Sequence, residues 1–102
     1  MYVKLNSKTH DICAMVESLF PEAVIHRNEI DSSFSFRVGA ENYTIDCTDT
    51  RREVLLKGDE EVIVVEDSVI DSVFIQRMYS YIKVRRDARI QRAAQILNKR
   101  TA

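Results

Sequence analysis

The sequence predicts an α+β domain: an antiparallel meander sheet of four to five strands, flanked by a short N-terminal helix and a long C-terminal one. Three observations predict it. Apolar residues recur at helical spacing before Pro21, short alternating runs fill residues 23–66, and no Gly or Pro interrupts the chain from residue 68 to Leu97. The 102 residues include only two Gly and one Pro, so residues 1–102 read as a single domain without long flexible linkers.

Residues 1–5 alternate weakly and are expected to start as an edge strand. Ser7 or Thr9 is expected to cap the first helix, because a side-chain oxygen there satisfies a backbone N–H that has no partner within the helix. Ile12, Met15, Val16 and Leu19 then fall on one helical face. Pro21 lacks the N–H that a further turn needs and disfavours α geometry at Phe20, which sets the helix at about residues 8–20.

The β region begins with A-V-I-H-R at residues 23–27. In S-F-S-F-R-V, residues 33–38, Phe34, Phe36 and Val38 share one face because strand side chains alternate. A turn through Gly39 leads into Y-T-I-D-C, residues 43–47, with Tyr43, Ile45 and Cys47 in phase. A second hairpin joins residues 53–57 to residues 61–66 through Gly58-Asp59. In its first arm Val54 and Leu56 are expected on the inner face, with Glu53, Leu55 and Lys57 on the other. The run Val62–Val65 is apolar on both faces, which predicts a central or covered strand.

The last third predicts a basic helix over about residues 68–98, capped by Asp67 or Ser68, with Asp71 favoured in the first turn by the helix dipole. Such a helix measures roughly 45 Å, against a diameter of roughly 34 Å for a domain of this size. It must either break near Arg86-Asp87 or project. Two apolar stripes are visible on it. Ile75, Tyr79, Ile82, Ile90, Ala93 and Leu97 form one, interrupted by Arg86; Ile70, Val73, Phe74, Tyr81, Val84 and Ala88 form the other. Two stripes imply burial on two sides: between the sheet and the first helix, or against a second copy of the chain. The second arrangement predicts a homodimer with Ile75, Tyr79, Ile82 and Ile90 at its interface.

Charge is divided unevenly. The formal net charge is −1, yet residues 83–102 carry seven basic side chains against Asp87 alone, while the rest of the chain is acidic. Arg85, Arg89, Arg92 and Lys99 share a face beside the edge formed by Ile90 and Leu97. A basic amphipathic helix of this kind suits an acidic protein groove or a row of phosphates, or is simply a solvated face. The expected partner is a protein, with nucleic acid the alternative, because nucleic-acid-binding domains are generally basic as a whole. The apolar face lacks Trp and Phe and no run approaches the ~20 apolar residues of a membrane span, so no membrane partner is expected. No apolar segment follows Lys4 as a signal peptide would require, and the expected compartment is the cytoplasm.

No motif assigns chemistry. Cys13 and Cys47 lack a C-x-x-C spacing and are expected as buried free thiols. His10 and His26 have no second ligand at metal spacing, and Gly39 and Gly58 alone make no phosphate loop. Asp46, Glu53 and Lys57 invite comparison with the Asp…Glu-x-Lys pattern of restriction-type nucleases. Leu55, however, occupies the position the lysine requires, and Lys57 lies roughly 7 Å too far along the strand. The expectation is therefore a small non-catalytic binding protein of adaptor, accessory or inhibitor type, with no metal or cofactor, whose partner meets Arg85, Arg89, Arg92, Lys99, Ile90 and Leu97.

Overall fold

A helix, five strands and a helix follow one another in the computed structural model, which describes residues 4–27, 30–66 and 71–101. They are α1 (Ser7–Leu19), β1 (Val24–Arg27), β2 (Ser33–Val38), β3 (Glu41–Asp46), β4 (Arg52–Lys57), β5 (Glu60–Glu66) and α2 (Asp71–Thr101). The strands form one antiparallel sheet in chain order, and the α+β architecture matches the sequence expectation. The expected cap at Asp67 or Ser68, most of the expected strand at residues 1–5, and the side chain of Lys99 lie outside the described residues.

Helix α1 is capped one residue earlier than expected: Asn6 Oδ1 accepts from the Thr9 N–H at 2.9 Å. Thr9 is buried instead, together with Ile12, Cys13 and Val16, so one face of α1 turns inward. Two-residue turns at Gly39-Ala40 and Gly58-Asp59 join β2 to β3 and β4 to β5. Gly39 has φ 63° and Gly58 φ 60°, a region that residues with a Cβ adopt at a cost.

The core lies between one face of the sheet and both helices. Phe34 faces Ile45, Ile45 faces Leu55, and Phe36 stacks on Tyr43, so a belt of large side chains crosses three strands. Ile12, Val16 and Phe20 close it from the α1 side, and Phe74, Met78 and Ile82 from α2. Each such side chain contributes about 1.5–3 kcal/mol when buried.

One strand expectation is overturned. On β4 the covered face carries Glu53 and Leu55, not Val54 and Leu56, because Leu55 pairs with Ile45 of the core belt. Glu53 is only 2% exposed, and Lys8 reaches it from α1 with Nζ 2.7 Å from Oε1. A carboxylate so far from water needs a counter-charge, and this pair ties the first turn of α1 to the sheet. Strand β5 lies at the sheet edge, so of the two expected arrangements it is the covered one, not the central one. Ile63 and Val65 face the core, and α2 packs against the strand. Between Ile63 and Glu61 the pairing shifts by one residue, leaving Val62 as an extra residue on β5.

Helix α2 does not break near Arg86. Its 31 residues span about 46 Å, and the molecule measures 53 × 32 × 24 Å. Residues 88–98 are all exposed, so the C-terminal half projects beyond the body.

Candidate functional site

The packed half of α2 presents one buried line rather than two. Phe74, Met78 and Ile82, four residues apart, face the core. This line runs midway between the two stripes read from the sequence. The flanking residues Ile75 and Tyr79 pack on one side and Val73 and Tyr81 on the other, all partly buried. The Tyr79 ring lies 5.6 Å from that of Phe20, so the α1 side of the helix is occupied within the chain. Ile82 is 1% exposed and belongs to the chain's own core, which also engages Ile75 and Tyr79. Of the four residues expected at a dimer interface, Ile90 alone is exposed, at 60%.

Past Ile82 the buried line continues into arginine. Arg85 is the first, and it is not a free cation. Its Nε and Nη2 donate to the two carboxylate oxygens of Glu41, each at 2.6 Å, in a bidentate pair. Tyr43 donates to Glu41 Oε2 at 2.5 Å. Arg85 chiefly, with Tyr43 assisting, pulls the Glu41 carboxyl down to about 2, although partial burial acts the other way. Burial, and then the bond to Glu41, push the Tyr43 phenol well above its ordinary value. The Arg85 guanidinium is held more firmly protonated by Glu41 and lies 5.5 Å from the centre of the Tyr81 ring.

Arg86 is engaged as well. Its Nη1 donates to Glu22 Oε1 at 2.9 Å, and its guanidinium sits 5.4 Å over the Phe20 ring. Glu22 is lowered first by a backbone hydrogen bond and then by Arg86. These two arginines fasten the middle of α2 to the β2–β3 hairpin and to the end of α1.

Arg89 and Arg92 make no hydrogen bond or ion pair among the described residues. Arg92 is exposed. Arg89 folds back over the β2–β3 turn, where a Cβ on Gly39 would come within 3.0 Å of its Nη1. Beneath it a groove of about 580 Å³ opens between the root of the projection and the hairpin. Val38, Tyr43 and Ile82 line its inner part, Ile90 and Ala93 its outer part, and Arg89 stands among them. Beyond the groove, Ile90, Ile96 and Leu97 are 60%, 50% and 62% exposed. The apolar part of the lining, Ile90 and Ala93, therefore passes onto the exposed helix toward Leu97.

The structure thus divides the expected basic face. Arg85 is an internal brace, Arg89 stands at the groove, and Arg92 lies further out. Ile90 and Leu97 are exposed beside them, joined by Ile96, which the stripe pattern did not include. Glu22, Val38, Gly39 and Glu41 were not legible as site residues. Glu41 and Glu22 pair with arginines 44 and 64 residues away, and no local pattern encodes such a contact.

Elsewhere the polar clusters have structural roles. Asp46 pairs across from Val54 on the sheet face opposite the core and accepts from the Thr48 N–H at 2.8 Å, whereas Glu53 points into the core. The nuclease-like arrangement of Asp46, Glu53 and Lys57 is therefore not assembled. Among the described residues no group of three or more His, Cys, Asp or Glu side chains is placed to hold a metal ion. Cys13 and Cys47 are buried, and burial pushes the Cys47 thiol up to about 11. Among the described residues no helix is long and apolar enough to cross a membrane. Comparison with protein-family models, with curated proteins and with solved structures finds no match to this chain.

Proposed function

We propose that the chain is a non-catalytic binding protein, of adaptor, accessory or inhibitor type, that engages another protein through the projecting half of α2. One observation carries this reading: an apolar track continues from the groove onto a helix whose residues 88–98 are all exposed. A patch of this kind on a small domain marks a contact surface more often than a bare solvated face. An isolated helix of about 14 residues is marginal in water. Here the packed root nucleates the projection, and a partner would stabilise it further.

Nucleic acid is the second reading, favoured by the exposed Arg92 and the unbridged Arg89. Against it, Arg85 and Arg86 are already neutralised by Glu41 and Glu22, and phosphates make no use of Ile90 or Leu97. A homodimer is also consistent with exposed Ile90, and light scattering over a dilution series measures it directly.

The test is affinity capture from native lysate with wild type, Ile90→Asp, and the double variant Arg89→Glu/Arg92→Glu, each with and without nuclease. Partners that survive nuclease and are lost with Ile90→Asp support a protein interface. Partners that vanish with nuclease and with the arginine variant, but withstand Ile90→Asp, replace it with nucleic acid.

A further inference from the structure

We infer that the track from the groove to Leu97 receives an acidic amphipathic helix of another protein, about four turns long, with a bulky apolar side chain seated in the groove. This rests on the reading that α2 docks a protein and adds the chemistry of the docked segment.

Length comes first. Ile82 and Leu97 are separated by about 22 Å along the helix axis, which is about four turns. Ile90, Ala93 and Leu97 follow one another at spacings of three and four, the seam of a helix packed along another helix. Ala93 at its centre is small enough for two helix axes to approach closely. At about 580 Å³ the groove has room for a large side chain, with Val38 and Ile82 in its lining.

Charge selects the occupant. The acids around the groove are all answered within the chain: Glu41 by Arg85, Glu22 by Arg86, and Asp87 by Arg86 at 3.5 Å. From residue 88 onward the sequence contains Arg89, Arg92, Lys99 and Arg100 and no acid. Arg89 stands beside the groove, where a carboxylate one turn from the seated apolar residue could form a bidentate pair with it.

The same charges disfavour a second copy. A two-fold axis between antiparallel helices places each flank of the seam against itself. The flank that carries Arg89 and Arg92 would then face its own duplicate, and like charges across a seam oppose pairing.

The test uses the full chain and three dye-labelled synthetic peptides of about 18 residues. One has a leucine stripe at helical spacing with glutamate flanks. The second has the same stripe with lysine flanks, and the third keeps the glutamates but replaces the stripe with alanine. Fluorescence anisotropy at low salt is expected to show the Leu/Glu peptide binding at least about tenfold more tightly than either of the others. Arg89→Glu/Arg92→Glu should invert the preference toward the Leu/Lys peptide, and Ile90→Asp should abolish binding of both. Circular dichroism confirms that the variants keep their helix.

No binding of the Leu/Glu peptide at high micromolar concentration overturns the proposal. So does a preference that survives charge reversal. Equal binding of the two leucine peptides, both lost with Ile90→Asp, overturns the acidic occupant while leaving the docking function standing. A chain that sediments alone as a dimer, and becomes a monomer on Ile90→Asp, overturns it by seating a second copy on the track.

Discussion

The two halves of α2 have similar compositions and opposite situations. Between residues 73 and 87, Phe74, Met78 and Ile82 are buried, while Arg85 and Arg86 are bound to carboxylates on other elements. Between residues 88 and 98 every residue is exposed, including Ile90, Ile96 and Leu97, and Arg89 and Arg92 are in no ion pair among the described residues. An arginine on this helix is thus structural or available according to what the rest of the fold places beneath it, not according to its position on the helical wheel. The first half holds the fold together; the second is held out by it.

The largest expected contrast is in stability. Phe74→Ala should destabilise the chain by about 3–5 kcal/mol and Met78→Ala by about 2–5 kcal/mol, since each leaves a cavity in a packed core. Urea denaturation measures this, and a cost under about 1 kcal/mol for Phe74→Ala would break the division between the halves.

The next effect is a pH dependence in the brace. The Glu41 carboxyl is lowered from 4.5 to about 2 in the folded chain. A group whose pKa is depressed by folding contributes stability that is fully present above the unfolded value. That stability is lost as pH falls from about 4.5 toward 2. Because the pair is partly solvated, its expected size is about 1–2 kcal/mol, below the full value of the shift. The midpoint of urea unfolding should therefore fall more steeply in wild type than in Glu41→Gln across that window. Parallel curves would show that Arg85 gains little from Glu41.

Glycine substitutions sharpen the boundary between the halves. Gly39 and Gly58 have nearly the same positive φ, but Arg89 covers only Gly39, and nothing lies within 4 Å of a Cβ built at Gly58. Each Gly→Ala change should cost about 1–2 kcal/mol from backbone strain. Gly39→Ala should cost at most a few tenths more, because the crowding atom is the end of a flexible side chain. Its distinctive effect should be on docking, where displacement of Arg89 weakens capture while Gly58→Ala leaves it unchanged.

The smallest expected effects lie on the projection. Ile90→Ala and Leu97→Ala should each change stability by less than about 0.5 kcal/mol, as exposed substitutions do. Amide exchange over residues 88–98 should be faster than over residues 74–86. A partner that slows exchange in the outer half alone would locate its footprint there.

The part of the candidate site that is legible in the sequence is the part encoded locally. The amphipathic edge containing Ile90 and Leu97, and the concentration of arginine beside it, are visible because helical spacing depends on a single element. The groove is not visible in the sequence, because its inner wall comes from Val38 and Tyr43, 33 and 28 residues before the helix begins at Asp71. Met78 was missed because its line bisects the two apparent stripes, and a stripe seen without the sheet has no reference direction. The faces of Leu55 and Val54 are not decided by the sequence, because both faces of β4 contain apolar residues and the period of two leaves two phases. Lys8, brought over by α1, allows Glu53 to occupy the covered phase.

The sequence by itself determined the elements: a helix ended by Pro21, a meander punctuated by Gly39 and Gly58, and a terminal helix with no interruption. These follow from local backbone chemistry, which each short segment carries in full. Only the tertiary structure decided which face of each strand is inner, that β5 is an edge, that Ile82 belongs to the core, and that α2 projects instead of breaking. Those outcomes depend on contacts between residues far apart in the chain. The projection in particular depends on where the supporting sheet ends, and no helical residue encodes that. The division of the arginines into braces and exposed cations follows from the same cause: Glu22 and Glu41 reach Arg86 and Arg85 and extend no further.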